Sequence, residues 1–194
     1  VLSQTLLLIW QPLLWLGGLF VSAFVINFLV VRNDPILWND LYSNIFLHSD
    51  KFRHYFDNYY NDLHTRFGAF LCGIAVAYLY FYHRSWLDKL FDNKLLCQLV
   101  TLVALWVVIG GFMSNIYFVQ DAATINYSRA YMITCRNIFS VALAWLMLAC
   151  MYPSGAGTWV KRFLSARFWF PFAQLSYSMY LFHYSFATVI AINL

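Results

Sequence analysis

The stretch LLCQLVTLVALWVVIGGFMSNIYF, residues 95–118, contains no charged residue and decides the class of fold. A helix needs about 20 mainly apolar residues to cross the hydrocarbon core of a bilayer. A segment of this length and composition is therefore predicted to be a transmembrane helix. Four further segments are interpreted in the same way, and the predicted helices cover residues 6–31, 67–82, 95–118, 131–152 and 168–194.

The composition of the whole chain agrees with a membrane protein. Of its 194 residues, 62% are hydrophobic and only 10% are charged, whereas soluble domains contain about 25% charged residues. A soluble fold of this size could not bury so much apolar surface. We therefore predict an all-α fold, a polytopic bundle with about five transmembrane helices. Because the chain starts with Val1 and ends at Leu194 inside an apolar run, we expect it to be a piece of a longer protein.

The net charge of the chain is +4, but the basic residues are scattered rather than clustered on one stripe, which argues against nucleic-acid binding.

The charges of the connections predict an orientation. Basic residues are densest in the two short connections at residues 83–94 and 153–167. Cytoplasmic loops are enriched in Lys and Arg, so these connections are expected in the cytoplasm. The long loop of residues 32–66, which contains five aspartates, would then lie outside.

The outer loop also contains three histidines, and His and Asp are residue types that can bind a metal ion. It lacks a helical pair of histidines four residues apart with a catalytic carboxylate. We therefore expect a solvated loop and no metal site. The four cysteines lie in or beside apolar runs and are expected to be buried thiols that behave as small hydrophobic residues.

Two arginines are candidates for binding an anionic group. Arg136 must lie inside the fourth predicted helix, because the fifteen residues from Ile138 to Tyr152 are too few to span the bilayer. A cation within the membrane is costly, so Arg136 should face protein or water. Arg129, one heptad earlier, would share its face and line the outer mouth of a cavity. Arg66, at the start of the second helix, would face a cavity between helices; the alternative for both candidates is that they snorkel to the lipid headgroups.

Two helix faces are expected to pack inside the bundle. In the second helix, Ala69, Gly73 and Ala77 form a ridge of small residues, which permits close approach of another helix. In the fifth helix, Ser176, Tyr180 and His183 share one face, and polar groups at membrane depth usually face the bundle interior. His183 would act there as a general base or a hydrogen-bond donor, or it would simply link two helices.

Two stretches of the chain resemble signatures of the membrane acyltransferase-3 family. Residues 59–73, YYNDLHTRFGAFLCG, resemble an aromatic, Thr-Arg entry into a helix in which a glycine follows the arginine by seven residues. Residues 175–183, LSYSMYLFH, resemble the late Ser-Tyr-Ser-x-Tyr-Leu-x-His helix of the family. The resemblance covers most of the chain, but only the later, C-terminal part of the family's single transmembrane domain.

The resemblance implies a membrane-bound O-acyltransferase of the bacterial inner (plasma) membrane. Such an enzyme transfers an acyl group, here expected to be acetyl, from acyl-CoA to a hydroxyl of an extracytoplasmic glycan or envelope polysaccharide. Acetyl-CoA would be a co-substrate, and no bound cofactor is expected. Combined with the arginines above, the resemblance makes His183 and Arg66 the candidates for catalysis, and Arg136, Tyr180 and Ser176 the candidates for substrate binding.

The family's best-known catalytic element, an arginine and a histidine on its first membrane helix, is expected upstream of Val1. Arg53 and His64 have the spacing of that pair, but they lie in a polar, aromatic loop and are rejected as its equivalent. Two alternatives stay open. The chain would be a transporter or flippase for a polar or anionic envelope substrate, with Arg136 and His183 along the path. Otherwise it would be a structural subunit whose polar residues only pin helices together in the membrane lipid.

Overall fold

The computed structural model describes residues 2–34, 53–119, 125–152 and 157–193. Every regular element in these ranges is helical, which confirms the all-α prediction. A π-helical segment, Phe56–Tyr60, precedes the second long helix. The α-helices are α1 (Leu2–Asn33), α2 (Leu63–Tyr82), α3 (Arg84–Asp92), α4 (Lys94–Val119), α5 (Ile125–Met151), α6 (Gly157–Leu164) and α7 (Trp169–Asn193).

Four of the described helices are long and apolar enough to cross a membrane, and they lie within α1, α2, α4 and α5. Their candidate spans are Gln11–Asn33, Leu63–Tyr82, Lys94–Gly111 and Arg129–Met151. At a rise of about 1.5 Å per residue, 20 residues cover the hydrocarbon core. The fifth predicted span, residues 168–194, is occupied by the 25-residue helix α7. That α7 crosses the membrane stays a prediction.

Helix α5 lies at the centre of the bundle and packs against α1, α2 and α4. Small residues, Ala104 on α4 and Ala142 on α5, are buried where these two helices meet. The indole N–H of Trp145 donates to the hydroxyl of Thr101 over 3.1 Å and ties the same two helices together. Close packing and hydrogen bonds between helices are what hold a bundle together in lipid, where the hydrophobic effect no longer acts between helices.

The two short basic connections are not loops, as the sequence suggested, but contain the amphipathic helices α3 and α6. Leu87 and Phe91 on α3 are buried, while Arg84 and Lys89 on the same helix are exposed. The ring of Phe91 stacks on Tyr152 at 4.5 Å between ring centres and lies 5.4 Å from the Trp145 ring. A short helix with one apolar and one basic face fits the membrane–water boundary.

The small-residue ridge on α2 faces away from the other described helices, contrary to the prediction. Ala69, Gly73 and Ala77 are all exposed, and no atom lies within 4 Å of where a Cβ on Gly73 would be. The buried face of α2 instead contains Thr65, Gly68, Cys72 and Val76. Of these, Gly68 makes the close approach to the neighbouring helices.

The described side chains of α7 are exposed, apart from the half-buried Trp169, and none of the other described helices packs along it. Ser176 and Tyr180 are both exposed, and the Ser176 hydroxyl donates to the carbonyl of Ala173 in its own helix at 2.6 Å. The expectation that this polar face packs inside the bundle is therefore not met by these two residues. The helix is positioned by α6 and a turn rather than by packing against α1, α2 or α5.

Candidate functional site

The π-helical segment folds back over the start of α2 and buries Tyr59, which is only 1% exposed. The Tyr59 hydroxyl donates to the carbonyl of Met132 on α5. The hydroxyl of Thr65, in the first turn of α2, donates to the carbonyl of Tyr59 at 2.7 Å. These two hydrogen bonds fix the segment against both α2 and α5.

Arg136 of α5 is held by the same residues. Its Nη1 atom donates to the carbonyl of Tyr59 and to the hydroxyl of Thr65, each at 3.2 Å. Its guanidinium carbon lies 4.3 Å from the centre of the Tyr59 ring, which is a cation–π contact. A guanidinium has five N–H groups, and Nη1 supplies both hydrogen bonds, so three N–H groups on Nε and Nη2 are left without a partner in the described chain. The cation is thus fixed in position and can still bind a ligand.

Arg66 adds a second positive charge to the site. Its guanidinium carbon lies 4.1 Å from the centre of the Tyr60 ring, and that of Arg136 lies 5.6 Å from the same centre. Two cations near one aromatic ring repel each other, and an anion bound between them would offset that repulsion. The ion pairs found in the described ranges join other residues: Arg53 with Asp57, His54 with Asp34, and His64 with Asp62.

The charge state of Tyr59 is fixed by its burial. Loss of solvent raises the pKa of Tyr59 to about 12, although the nearby Arg136 charge opposes the shift. The phenol therefore stays protonated at neutral pH and remains a hydrogen-bond donor to Met132. It does not supply a counter-charge to Arg136, so the arginine keeps its positive charge uncompensated by this ring.

Of the five predicted site residues, the structure brings two together. Arg66 and Arg136 both lie near the Tyr60 ring, whereas the side chains of Ser176 and Tyr180 are exposed on α7. The side chain of His183 lies outside the described part of the structure, so its role stays a prediction. Arg129, expected beside Arg136, instead lines a separate cleft between α1 and α5.

No group of three or more His, Cys, Asp or Glu residues suited to a metal ion occurs among the described residues. His54 and Asp34 make a contact of 2.6 Å that joins the end of α1 to the segment before Tyr59. His48 and Asp50 lie outside the described ranges. Among the described residues of the outer loop, this pair links α1 to the chain that leads into the site.

Two buried asparagines beneath the site were missed by the sequence analysis. Asn27 on α1 is 0% exposed and Asn137 on α5 is 1% exposed. Both atoms of the Asn27 amide, and Nδ2 of Asn137, have no hydrogen-bond partner among the described residues. The signal that could have found them is the polar side chain itself, because an amide at membrane depth is costly.

An apolar cavity of about 350 Å³ lies between α1, α2 and α5, on the side of Gly68 away from the arginines. Its walls come from residues 13–20 of α1, 71–79 of α2 and 141–148 of α5, and they are almost entirely apolar. The bundle therefore contains a basic, aromatic site at one end, a layer of buried amides below it, and an apolar space further down.

These features define the class of the chain, which is a helical integral membrane protein with an arginine site at one end of the bundle. Comparison with protein-family models, with curated proteins and with solved structures finds no match.

Proposed function

We propose that the chain is part of a membrane-bound O-acyltransferase, in which Arg136 and Arg66 bind the negatively charged or oxygen-rich part of the substrate. One observation carries the proposal: Arg136 is held by Tyr59 and Thr65, and Arg66 lies on the neighbouring Tyr60 ring. Tyr59, Tyr60, Thr65 and Arg66 all belong to the stretch that resembles the acyltransferase-3 signature. The contacts add Arg136, which that stretch does not contain.

The chemistry of acyl transfer requires such a site. The oxygen of an acceptor hydroxyl attacks the thioester carbonyl of acyl-CoA, the carbonyl oxygen gains negative charge, and the C–S bond then breaks. A base takes the hydroxyl proton, and the CoA thiolate leaves and is protonated. Fixed N–H donors directed at the developing charge are the largest source of stabilisation in many such reactions. Arg136 has fixed donors of this kind, and His183 is the candidate for the base.

The remaining expectations complete the proposal. The acyl group is acetyl, the acceptor is a hydroxyl of an extracytoplasmic glycan or envelope polysaccharide, and the membrane is the bacterial inner membrane. In the predicted orientation, the arginine site lies at the outer end, where an acceptor glycan would bind. Arginine suits this role because its planar fork pairs with carboxylate or phosphate oxygens in a bidentate manner.

The experiment uses membranes containing the full-length protein, labelled acetyl-CoA and the envelope glycans of the host. We expect Arg136→Gln and Arg66→Gln each to reduce transfer of label to glycan by about 10²-fold, the usual cost of losing one fixed donor. Arg84→Gln is the matched control, because Arg84 lies on α3 at the other end of the bundle, also over a tyrosine ring, at 5.7 Å. Its transfer rate should equal that of the unmodified protein.

Two results would overturn the proposal. One is unchanged transfer by Arg136→Gln at equal protein abundance. The other is a full-length protein that transports a labelled glycan across the membrane and transfers no acyl group to it, which would favour the transporter instead.

A further inference from the structure

A basic cleft, separate from the arginine site, lies on the surface of the bundle between the last turns of α1 and the beginning of α5. It has a volume of about 400 Å³ and is lined by Phe28, Val31, Arg32, Arg129 and Ile133. Both arginines are exposed. This cleft is separate from the candidate functional site, because Arg136 is directed toward Tyr59 and Thr65 instead.

The cleft lies at the boundary of the membrane. The candidate span of α1 ends at Asn33, one residue after Arg32, and the candidate span of α5 begins at Arg129. Both guanidinium groups therefore lie at headgroup depth on the same side of the membrane, whichever way the chain is oriented. Phe28 and Ile133 lie one turn deeper on their helices, at the depth of the acyl chains.

The lining thus has the polarity of a phospholipid, with two cations at the headgroup and apolar side chains below them. Guanidinium groups pair with phosphate oxygens in a planar, often bidentate geometry. Two arginines together favour a lipid with net negative charge. In a zwitterionic lipid, the ammonium group of the headgroup already compensates the phosphate and would be repelled by the arginines. A single snorkelling arginine would not distinguish between the two kinds of lipid.

We propose that this cleft is a binding site for an anionic phospholipid, with Arg32 and Arg129 on its phosphate and an acyl chain along Phe28 and Ile133. The proposal is independent of acyl transfer, since it uses none of the residues in the arginine site. The bound lipid would bridge α1 and α5 at the end of the bundle where the Tyr59 segment packs.

The experiment compares phosphatidylglycerol with phosphatidylcholine of the same acyl chains. The full-length protein is purified in detergent, each lipid is added in turn, and the lipid retained per protein is counted by native mass spectrometry. Thermal unfolding is followed in parallel. We expect phosphatidylglycerol to be retained about tenfold better and to raise the Tm more, and we expect salt to reduce the difference, since ions screen exposed charges.

Variants then locate the site. Arg32→Gln combined with Arg129→Gln should abolish the preference for phosphatidylglycerol, and Arg32→Lys combined with Arg129→Lys should retain part of it. Arg162→Gln, a change in α6 beyond the other end of α5, is the control and should retain all of it. Glycerol phosphate, the headgroup without acyl chains, should neither raise the Tm nor displace the lipid at equal concentration.

Three outcomes would overturn the proposal. The first is equal retention of both lipids by the unmodified protein, a result that does not depend on whether any variant folds. The second is an unchanged preference in the double glutamine variant, folded as judged by its melting curve. The third is stabilisation by glycerol phosphate as strong as that by the lipid, which would make the cleft an anion site without lipid specificity.

Discussion

Gly68 of α2 and Asn137 of α5 lie in direct contact, and the side chain of Asn137 occupies the space that a Cβ on residue 68 would need. The same Cβ would lie 3.2 Å from the Cβ of Ala23 on α1. Three helices therefore meet at one glycine, immediately below the arginine site. The absence of a side chain at residue 68 is what brings α1, α2 and α5 this close together.

Gly68→Ala is expected to destabilise the bundle by about 1–3 kcal/mol, because overpacking forces neighbouring atoms to move. Gly73→Ala is the matched control on the same helix, since a Cβ there meets no atom within 4 Å. That change should be neutral or slightly stabilising, because alanine favours the helix by up to about 1 kcal/mol over glycine. Thermal unfolding of the purified protein measures both variants, and equal melting temperatures would contradict the packing described here.

The two glycines also show where sequence information is limited. The existence of α1, α4 and α5 as long helices followed from long, mainly apolar segments, because the bilayer itself sets how many apolar residues a span needs. Both Gly68 and Gly73 belong to faces of small residues on α2, and the sequence does not say which face meets α5. The prediction chose the face containing Gly73, whereas in the structure the face containing Gly68 packs against α1 and α5.

The arginine site was likewise only partly predictable. The position of Arg136 inside a helix followed from counting residues back from Pro153. Its contacts with Tyr59 and Thr65 depend on how residues 53–60 fold over α2, and no local pattern encodes a pairing between residues so far apart in the chain. The polar face of α7 was expected inside for the same physical reason as Arg136, yet Ser176 is satisfied within its own helix.

Tyr59→Phe should change how stability depends on pH. The pKa of Tyr59 is raised from 10.0 to about 12, so the folded protein holds this proton more tightly than the unfolded chain. The stabilisation is therefore complete below pH 10 and declines as the pH rises toward about 12, by roughly 1.4 kcal/mol per pH unit. Phenylalanine has no proton to lose, so this part of the alkaline decline should vanish.

The measurement is the melting temperature between neutral pH and about pH 11, because the decline begins above the pKa of 10.0 of the unfolded phenol and below the pKa of about 12 of the folded one. Tyr60→Phe serves as the control, because it removes a neighbouring hydroxyl of the same site and keeps Tyr59, so the part of the decline due to Tyr59 should persist. A decline that is identical in Tyr59→Phe and the unmodified protein would show that Tyr59 is not buried as described.

Thr65→Val should release Arg136 from one of its two hydrogen bonds. The Thr65 hydroxyl accepts from Nη1 of Arg136 and donates to the Tyr59 carbonyl, so its loss affects both contacts. We expect a destabilisation of about 1–3 kcal/mol, the usual cost of leaving buried polar groups unpaired. We also expect a reduction in the proposed acyl transfer. Thr65→Ser keeps the hydroxyl and should retain most of both the stability and the activity, whereas a serine variant as impaired as the valine variant would show that the hydroxyl alone does not account for the effect.

Asn27→Leu tests whether the buried amide layer serves function at the expense of stability. Ala23, Asn27 and Val31 share one face of α1, where Ala23 approaches Gly68 and Val31 packs with Tyr59 and Met132. Asn27 is therefore placed between the Gly68 contact and Tyr59, directly below the arginine site. Its two polar atoms have no hydrogen-bond partner in the described residues. Replacing an unsatisfied buried group by an apolar one of similar size is neutral or stabilising.

We accordingly expect Asn27→Leu to leave the melting temperature unchanged or to raise it, while the proposed acyl transfer by the full-length protein falls. Gln98→Leu is the control, because Gln98 is exposed on α4 and the change measures the general stability gained by adding an apolar side chain in a membrane. It should not affect transfer. A variant that is more stable and less active means that the amide is kept for binding, since its removal costs the fold nothing. A marked loss of stability would instead mean that the amide is satisfied in the folded protein and holds α1 in place.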